Sequence, residues 1–352
     1  MLFKTYLSIL ILFCLRKING ERTIYSIFHL LKGKKSSQTI QDSHLFHLTS
    51  LFQTFPSLSR HYFEKEVSTL ENNQLIICVE GEKFRLTEKG ETLLAEEMEK
   101  FPLPPHLNGW TFHSLQDEFW KRFSLLVQVS SNFINYESTY IPIHSDSKIS
   151  EWLKTALRKL HLNREKLANQ LLSEITSCFA NEKGINPNVI VLRLTGYKQI
   201  GLTPKQAGEH LGMDPAYFQL EFLNIIHFLI HKISKYKTQY PILFHLLSDF
   251  QNRIVLTNSS SITYIYLKKG YSIDEIATIR NLKVSTIEDH VVEIVLNEPS
   301  FPLEPYVSLE NQDLIKKSMI KLATKQLKTI RQDIHEKVSY FQIRLVLAKL
   351  GD

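Results

Sequence analysis

Cysteine, glycine and proline are all scarce in this sequence. Its 352 residues include three cysteines, 12 glycines and 12 prolines. Cys14, Cys78 and Cys178 lie far apart, with no Cys-x-x-Cys pair and no histidine at ligand spacing, so we expect neither disulfides nor a structural zinc site. Because tight-turned β architectures need many glycines and prolines, their low number predicts a mainly α-helical fold.

Motifs for catalysis are also missing. Residues 33–36 superficially resemble a phosphate-binding loop, but Phe28 stands where an earlier glycine is required and Lys35 where Ser or Thr is required. No acidic metal-binding box and no nucleophile with a partner base is indicated by spacing. His227 and His231 lie one helical turn apart in an apolar segment without a third ligand, which favours core packing. We therefore expect a non-enzyme without a cofactor, a metal site or a small-molecule substrate.

The N-terminal run MLFKTYLSILILFCLRKINGER is apolar enough for a secretory signal to be weighed. It is short for a membrane span, has no small-residue cleavage site and continues into the apolar-periodic RTIYSIFHLL. We predict a buried first helix of a cytoplasmic protein, with no membrane partner.

The net charge and the positions of proline-rich or polar segments indicate the class of partner and the domain boundaries. Lysine and arginine number 42 against 36 acidic residues, a net charge of +6, which suits a nucleic-acid partner without requiring one. Proline-rich or polar seams at residues 101–109 and 256–261 divide the chain into three predicted domains, at 1–100, 110–255 and 258–352.

Residues 57–94 have the order helix, strand, turn, strand and helix that is typical of a winged helix. Ser57 and Ser59 are suited to cap the first helix, and Thr87 the last. Glu80 and Gly81 are suited to a hairpin turn between two β-prone runs. The N-terminal domain is therefore predicted to be winged-helix-like with a small β-hairpin.

Basic side chains on this unit are candidates for phosphate contact. They are Arg60, His61 and Lys65 on the helix, and Lys83 and Arg85 on the wing. The alternative is a winged helix that binds only protein.

Residues 270–295 read as two short helices joined by a tight turn. Ile276 and Ala277 on the first helix and Ile287 on the second form an apolar wedge, with Ala277 small enough for a close crossing. Ser285 and Glu288 have the spacing of a capping box. If this helix-turn-helix binds DNA, the second helix lies in the major groove. The predicted DNA-binding residues are Arg280, Lys283, Ser285 and Thr286.

Two features bear on that prediction. Glu288 and Asp289, together on the second helix, would be repelled by phosphates, whereas His290 is expected to pack between helices. Further along, a basic stripe on one helix face is predicted to be solvated and able to reach phosphates. Its members are Lys317, Lys321, Lys325 and Lys328.

Several of these segments resemble known families. Residues 24–94, beginning IYSIFHLLKGKKSS and ending in LTEKG, resemble the C-terminal winged-helix domain of RecQ helicases. Residues 261–350 resemble LuxR-type regulators in the helix-turn-helix and, more closely, the extreme C-terminus of many RecQ helicases. The whole chain resembles the YpbB-like helix-turn-helix proteins of Gram-positive bacteria, which are typically encoded beside a RecQ-type helicase.

The resemblance implies accessory DNA-binding modules without a motor. Such a protein is expected to bind DNA and to supply these modules in trans to a RecQ-type helicase in DNA repair or recombination. Two alternatives remain. A transcription regulator would need a sensing domain or a symmetric dimer, and a helical adaptor would use its helix-turn-helix to bind protein, as Glu288 and Asp289 favour.

Overall fold

The computed structural model describes residues 5–180, 182–250, 255–298 and 300–350. Within these ranges the chain forms nineteen α-helices and one two-stranded antiparallel sheet. The predicted mainly α fold class, with a small hairpin near the N-terminus and a C-terminal helix-turn-helix, is confirmed. None of the described helices combines the length and the apolar character needed to cross a bilayer.

Backbone contacts group the chain into two compact units. The middle unit contains Phe101–Asn252 and the residues up to Leu7, and the terminal unit contains Ser8–Lys100 and Arg253–Asp352. The N-terminal and C-terminal regions thus share one unit. The division into three domains stays a prediction.

The N-terminal region begins with the predicted buried helix. Its elements in chain order are α1 (Tyr6–Ile18), α2 (Tyr25–Lys32), α3 (Ser37–Leu45), α4 (Arg60–Asn72), β1 (Ile76–Glu80), β2 (Lys83–Leu86) and α5 (Glu88–Lys100). Ser59 Oγ accepts a hydrogen bond from the Tyr62 amide and starts α4, while Thr87 Oγ1 accepts one from the Gly90 amide and starts α5. These two predicted caps are confirmed.

The hairpin turn lies one residue later than predicted. Glu80 pairs with Lys83 in the ladder, which leaves Gly81 and Glu82 as the two turn residues. The glycine of the LTEKG segment also has a defined role, because a Cβ on Gly90 would lie 2.1 Å from the Leu75 carbonyl oxygen. Only glycine lets α5 approach the start of the hairpin so closely.

The middle unit is entirely helical apart from one isolated β-bridge within its described residues. Its helices are α6 (Gly109–Phe112), α7 (Gln116–Ile134), α8 (Ser147–Leu160), α9 (Arg164–Phe179), α10 (Asn188–Val191), α11 (Pro204–His210), α12 (Pro215–Lys235) and α13 (Pro241–His245). Helix α12 is central, because most of its residues between Phe218 and Ile233 are buried.

A buried histidine on α12 holds the loop that precedes α6. His227 Nδ1 accepts a hydrogen bond from the Asn108 amide at 3.0 Å, and His227 Nε2 bonds to Gln116 Oε1 at 2.8 Å. Burial lowers the pKa of His227 to about 3. Both ring nitrogens are therefore occupied by structural hydrogen bonds, as core packing predicts. No group of metal-ligating side chains occurs in the ranges that the structure describes.

The C-terminal region contains six helices. They are α14 (Asn258–Lys268), α15 (Ile273–Arg280), α16 (Val284–Asn297), α17 (Leu309–Leu322), α18 (Leu327–Asp333) and α19 (Tyr340–Leu350). A capping box between Ser272 and Glu275 starts α15, and Asn281 ends it in the left-handed conformation, with φ of 50°. Helices α15 and α16 are thus the predicted helix-turn-helix.

One predicted cap in this motif is wrong. Helix α16 begins at Val284 with Lys283 at the N-cap, and no side chain caps it. Ser285 lies inside the first turn, because the left-handed Asn281 shortens the connection to the second helix.

Ala277 lies at the crossing of α15 and α16, as predicted. It is 5% exposed and shares a buried cluster with Ile276 and Ile287. Replacing Ala277 with phenylalanine is expected to overpack this crossing and lower the free energy of unfolding by about 1 to 3 kcal/mol. Faster amide hydrogen exchange in α15 and α16 would report the loss. Exchange rates equal to those of the parent would show that the helix crossing accommodates the larger side chain without loss of stability.

The predicted basic stripe does not lie on one helix. The helix breaks between α17 and α18, where Ala323 adopts a left-handed conformation with φ of 47°. Apolar Ile320, on the same helix as Lys317, is 74% exposed. Lys317 and Lys328 are exposed, but Lys325 is turned inward. The prediction of a continuous stripe is therefore wrong.

Lys325 has a structural position instead. Its ammonium donates to the Leu45 carbonyl oxygen and lies 5.3 Å from the Phe46 ring centroid, while its backbone amide donates to Glu21 at 3.0 Å. Burial lowers the pKa of Lys325.

We expect Lys325→Gln to destabilise the protein by about 1 to 2 kcal/mol, because it removes a charged hydrogen bond and the ring contact. The exposed Lys317→Gln should stay within about 0.5 kcal/mol of the parent. Urea unfolding of the two variants checks this difference. Equal stabilities would show that Lys325 contributes nothing beyond its charge.

Candidate nucleic-acid interface

The second helix of the motif, α16, is the buried centre of the terminal unit. Helices α3, α14, α15 and α19 all pack against it. Its buried residues are Ile287, His290, Val291, Val292, Glu293, Ile294, Val295 and Leu296. The exposed residues at its start are Lys283, Val284 and Ser285. In a helix-turn-helix, the first turn of the second helix contacts the base edges. This turn of α16 is open to solvent.

A polar network joins α16 to α3 and α19. Ser37 Oγ donates to Asp289 Oδ1 at 2.9 Å, and Arg344 Nη1 donates to the same oxygen at 2.5 Å. Arg344 Nη2 also donates to Ser37 Oγ, and Arg344 Nε donates to Gln41 Oε1 at 2.8 Å. The carboxylate of Asp289, whose side chain is 40% exposed, is therefore paired with Arg344 of the same unit. It does not oppose DNA as the sequence suggested.

This network brings together two basic segments that are about 250 residues apart in sequence. Lys35 lies two residues before Ser37, and Ser285 lies one helical turn before Asp289. Their Cα atoms are consequently separated by on the order of 20 Å or less. The loop between α2 and α3 thus lies beside the open first turn of α16.

Lys34 and Lys35 in this loop were not among the predicted site residues. Gly33 ends α2 with φ of 74°, and Ser36 accepts a hydrogen bond from the Thr39 amide and starts α3. The two lysines between them are exposed, and neither forms an ion pair in the part of the chain that the structure describes. The Gly-Lys-Lys sequence at residues 33–35 indicates exposed cations in a loop, although it does not form a phosphate-loop motif.

The start of α4 lies next to the same loop. Lys32, at the end of α2, donates from Nζ to the carbonyl oxygen of Leu58, two residues before α4, at 3.2 Å. Burial, followed by the charges of Lys34 and Arg60, lowers the pKa of His29. Arg60 donates to Glu64 at 2.7 Å and stacks 4.3 Å from the Tyr25 ring centroid. The guanidinium of Arg60 is therefore partly occupied by contacts within the protein.

Two further predicted residues of the winged helix, His61 and Lys65, are exposed on α4. The wing residues are less available. Lys83 forms an ion pair with Glu80 at 2.8 Å, and Arg85 Nε donates to the Asn19 carbonyl oxygen at 3.3 Å. The helix thus offers more free positive charge than the wing.

The predicted residues of the helix-turn-helix fall into two groups. Lys283 and Ser285 are exposed and Thr286 is half-buried. Arg280 points inward, where its guanidinium donates to the Ser259 carbonyl oxygen at 2.9 Å and to Thr263 Oγ1. The structure therefore gives Arg280 a role inside the unit.

The remaining stripe lysines have three different environments. Lys321 forms an ion pair with Asp333 at 2.6 Å, and Lys317 is solvated. Lys328 lines a cavity of about 480 Å³ next to the network. Other charges at this cavity are paired, as in the contact of Arg22 with Asp42 at 3.0 Å.

His290 packs between helices, as expected. Its Nδ1 lies 2.8 Å from Thr263 Oγ1 on α14. Burial, with a smaller effect from Arg280, lowers the pKa of His290 to about 4. The folded state therefore holds the ring neutral.

This shift predicts a pH dependence of stability. Between pH 6.5 and about 4 the unfolded chain takes up a proton at His290 that the folded chain does not. As the pH is lowered through this range, the free energy of unfolding should therefore fall by at most about 1.4 kcal/mol per pH unit. Urea unfolding at several pH values should show a shallower dependence for His290→Gln than for the parent, and the exposed His61→Gln serves as control. Identical slopes for all three proteins would contradict it.

Comparisons with known proteins agree with this architecture. Residues 259–347 match the family described as a helix-turn-helix domain. Over 345 residues the chain is 36% identical to protein YpbB of Bacillus subtilis (strain 168), covering 98% of this chain and 97% of that protein. The chain belongs to the YpbB family. No solved structure matches it.

Membership in the YpbB family confirms the resemblance stated for the whole chain, and the helix-turn-helix match indicates DNA binding. The matched domain includes α14 to α19 except for the last residues of α19. It therefore covers the open first turn of α16 but not the loop that carries Lys34 and Lys35.

Proposed function

We propose that this protein is a non-enzymatic, cytoplasmic DNA-binding accessory protein that holds one duplex against a composite basic surface. This surface is defined by Lys34 and Lys35 in the loop before α3, by Arg60, His61 and Lys65 on α4, and by Lys283 and Ser285 at the start of α16. Its contacts would go mainly to phosphates, because its cations lie on a loop and on helix starts.

The contact of Ser37 with Asp289 and Arg344 is the observation that carries this proposal. It fixes the loop lysines beside the open turn of the helix-turn-helix. Two weak sets of phosphate contacts in a fixed relative position act as one stronger site, since the second set binds without a further loss of rotational freedom.

We further propose that the protein delivers DNA to a RecQ-type helicase during repair or recombination. Resemblances of residues 24–94 and 261–350 to accessory modules of RecQ helicases support this partner. A chain that supplies such modules needs no motor of its own, which agrees with the missing phosphate loop. The adaptor alternative predicts the same partner but no DNA.

One experiment separates these outcomes. The purified chain is mixed with a RecQ-type helicase of the same organism, with and without a forked duplex, and both capture and unwinding are measured. We expect helicase binding, faster unwinding and no ATP hydrolysis by the chain alone. Capture without any DNA binding would favour the adaptor, and neither binding nor faster unwinding would end the helicase proposal.

The regulator alternative is disfavoured by the packing of α16. Sequence-specific reading also needs side chains beyond the first turn of the second helix, and in α16 that part is packed against α3 and α19. Only the first turn is open, which suits binding that depends on DNA structure more than on sequence. A single palindromic site bound tightly at high salt would favour the regulator instead.

A further inference from the structure

Arg193 in the middle unit is a half-buried arginine with no acidic partner among the residues that the structure describes. Its guanidinium carbon lies 4.2 Å from the Phe222 ring centroid and 5.2 Å from that of Trp120, and these two rings are 5.0 Å apart. Its Nε is fully buried with no acceptor in the described ranges. Burial lowers the pKa of Arg193 to about 10, and no neighbouring carboxylate acts in the opposite direction.

A second arginine of the same unit, Arg122, has the carboxylate partners that Arg193 lacks among the described residues. Arg122 also stacks on two rings, with Trp152 at 4.2 Å and Phe250 at 4.8 Å. The Nε of Arg122 is also buried without an acceptor among the described residues, but its Nη2 donates to Glu118 at 2.5 Å and to Asp249 at 2.7 Å. Both arginines contact two aromatic rings, but none of the described residues supplies a carboxylate to Arg193.

The backbone around Arg193 is held in place by short contacts. The loop that follows it closes where the Leu202 amide donates to the Leu192 carbonyl oxygen at 2.7 Å. A Cβ on Gly201 would lie 2.3 Å from the Arg193 carbonyl oxygen, so only glycine permits this closure. The position of the guanidinium is therefore set before any ligand arrives.

Apolar side chains on both sides of this loop are left open to solvent. Val191 is 50% exposed and Ile200 is 83% exposed. A guanidinium beside aromatic and aliphatic side chains is typical of the residues that contribute most to protein interfaces.

We propose that Arg193 binds a carboxylate of a partner protein, presented on a short acidic segment with apolar neighbours. The two ring centroids are only 5.0 Å apart, so both rings lie on one side of the guanidinium. The edge of the guanidinium remains for in-plane hydrogen bonds, which fits the two oxygens of one carboxylate. A nucleic-acid backbone would call for several cations, and this position offers one. The middle unit then has a protein-binding role that is separate from the DNA surface of the terminal unit.

The test uses the full chain labelled with ¹⁵N at its tryptophan indoles. An acetylated, amidated Leu-Glu-Leu peptide is titrated against its Leu-Gln-Leu counterpart, and the Trp120 signal is followed. We expect a saturable shift with the glutamate peptide and at least about tenfold weaker binding of the glutamine peptide, because a charged hydrogen bond is lost. Arg193→Met should abolish the shift, and Lys198→Met, which removes a charge from the same loop, should not.

Other outcomes overturn the proposal. Equal binding of the two peptides, or no Trp120 shift up to about 10 mM peptide, would mean that no carboxylate is recognised. A shift by inorganic phosphate or a thymidine oligonucleotide at lower concentration than the peptide would assign the position to nucleic acid. Arg193→Lys keeps the charge but loses the fork, so undiminished peptide binding by this variant would exclude paired hydrogen bonds.

Discussion

A fragment of residues 255–352, which contains the whole matched helix-turn-helix domain, is expected to lack a cooperative unfolding transition. Helix α3 belongs to the N-terminal region and packs against both α16 and α19. Removing it exposes part of the buried face of α16, at about 1.5 to 3 kcal/mol for each large apolar side chain that leaves the core. Two or three such side chains are comparable with the total stability of a small domain.

Thermal unfolding followed by circular dichroism checks this expectation. Co-expression with residues 8–100 should restore the transition, because the second fragment returns α3. In the full chain, Ile40→Asp should be strongly destabilising, since Ile40 is 1% exposed on α3. Ile77→Asp on the wing, where the side chain is 56% exposed, is the matched control. A fragment that unfolds as sharply as the full chain would mean that α3 is dispensable.

The triple variant Lys34→Gln, Lys35→Gln and Lys283→Gln is expected to lose DNA affinity by on the order of 10- to 100-fold at low salt. All three side chains are exposed, so the fold should be retained. Each lost phosphate contact lowers the slope of log affinity against log salt by about 0.9, and three contacts by roughly three. Binding titrations at several salt concentrations measure both quantities.

The matched control changes the same charge elsewhere. Lys154, Lys159 and Lys166 are exposed lysines of the middle unit, and their replacement by glutamine should leave the salt slope unchanged. If the two triple variants weakened binding equally, the protein would attract DNA only through its net charge. If only the variant of the terminal unit lost binding, the composite surface would be supported.

Local features of this fold were predictable from sequence because they depend on neighbouring residues. Ser59 and Thr87 start helices through bonds to amides three residues later, and the spacing alone indicates them. The crossing at Ala277 followed from apolar periodicity and residue size. The hairpin was found within one residue, since its turn type depends on a single ladder pair.

Features that depend on distant contacts were missed. The burial of α16 is set by α3, about 250 residues away, and no periodicity of α16 reveals it. The prediction of a basic stripe on one helix is wrong because the helix ends at Ala323. An alanine in the left-handed conformation gives no signal in the sequence. Lys34 and Lys35 belong to a segment that fails as a phosphate-loop motif. Exposed cations can nevertheless bind phosphates without that motif.

The central claim is that the loop lysines and the first turn of α16 bind the same duplex side by side. Isothermal titration with a duplex of about 10 bp, roughly 34 Å long, tests this most directly, because so short a duplex spans both segments but no second surface. We predict one duplex per chain, with weaker binding both for Lys34→Gln/Lys35→Gln and for Lys283→Gln/Ser285→Ala. Two duplexes per chain, with each variant losing only one of them, would contradict the claim.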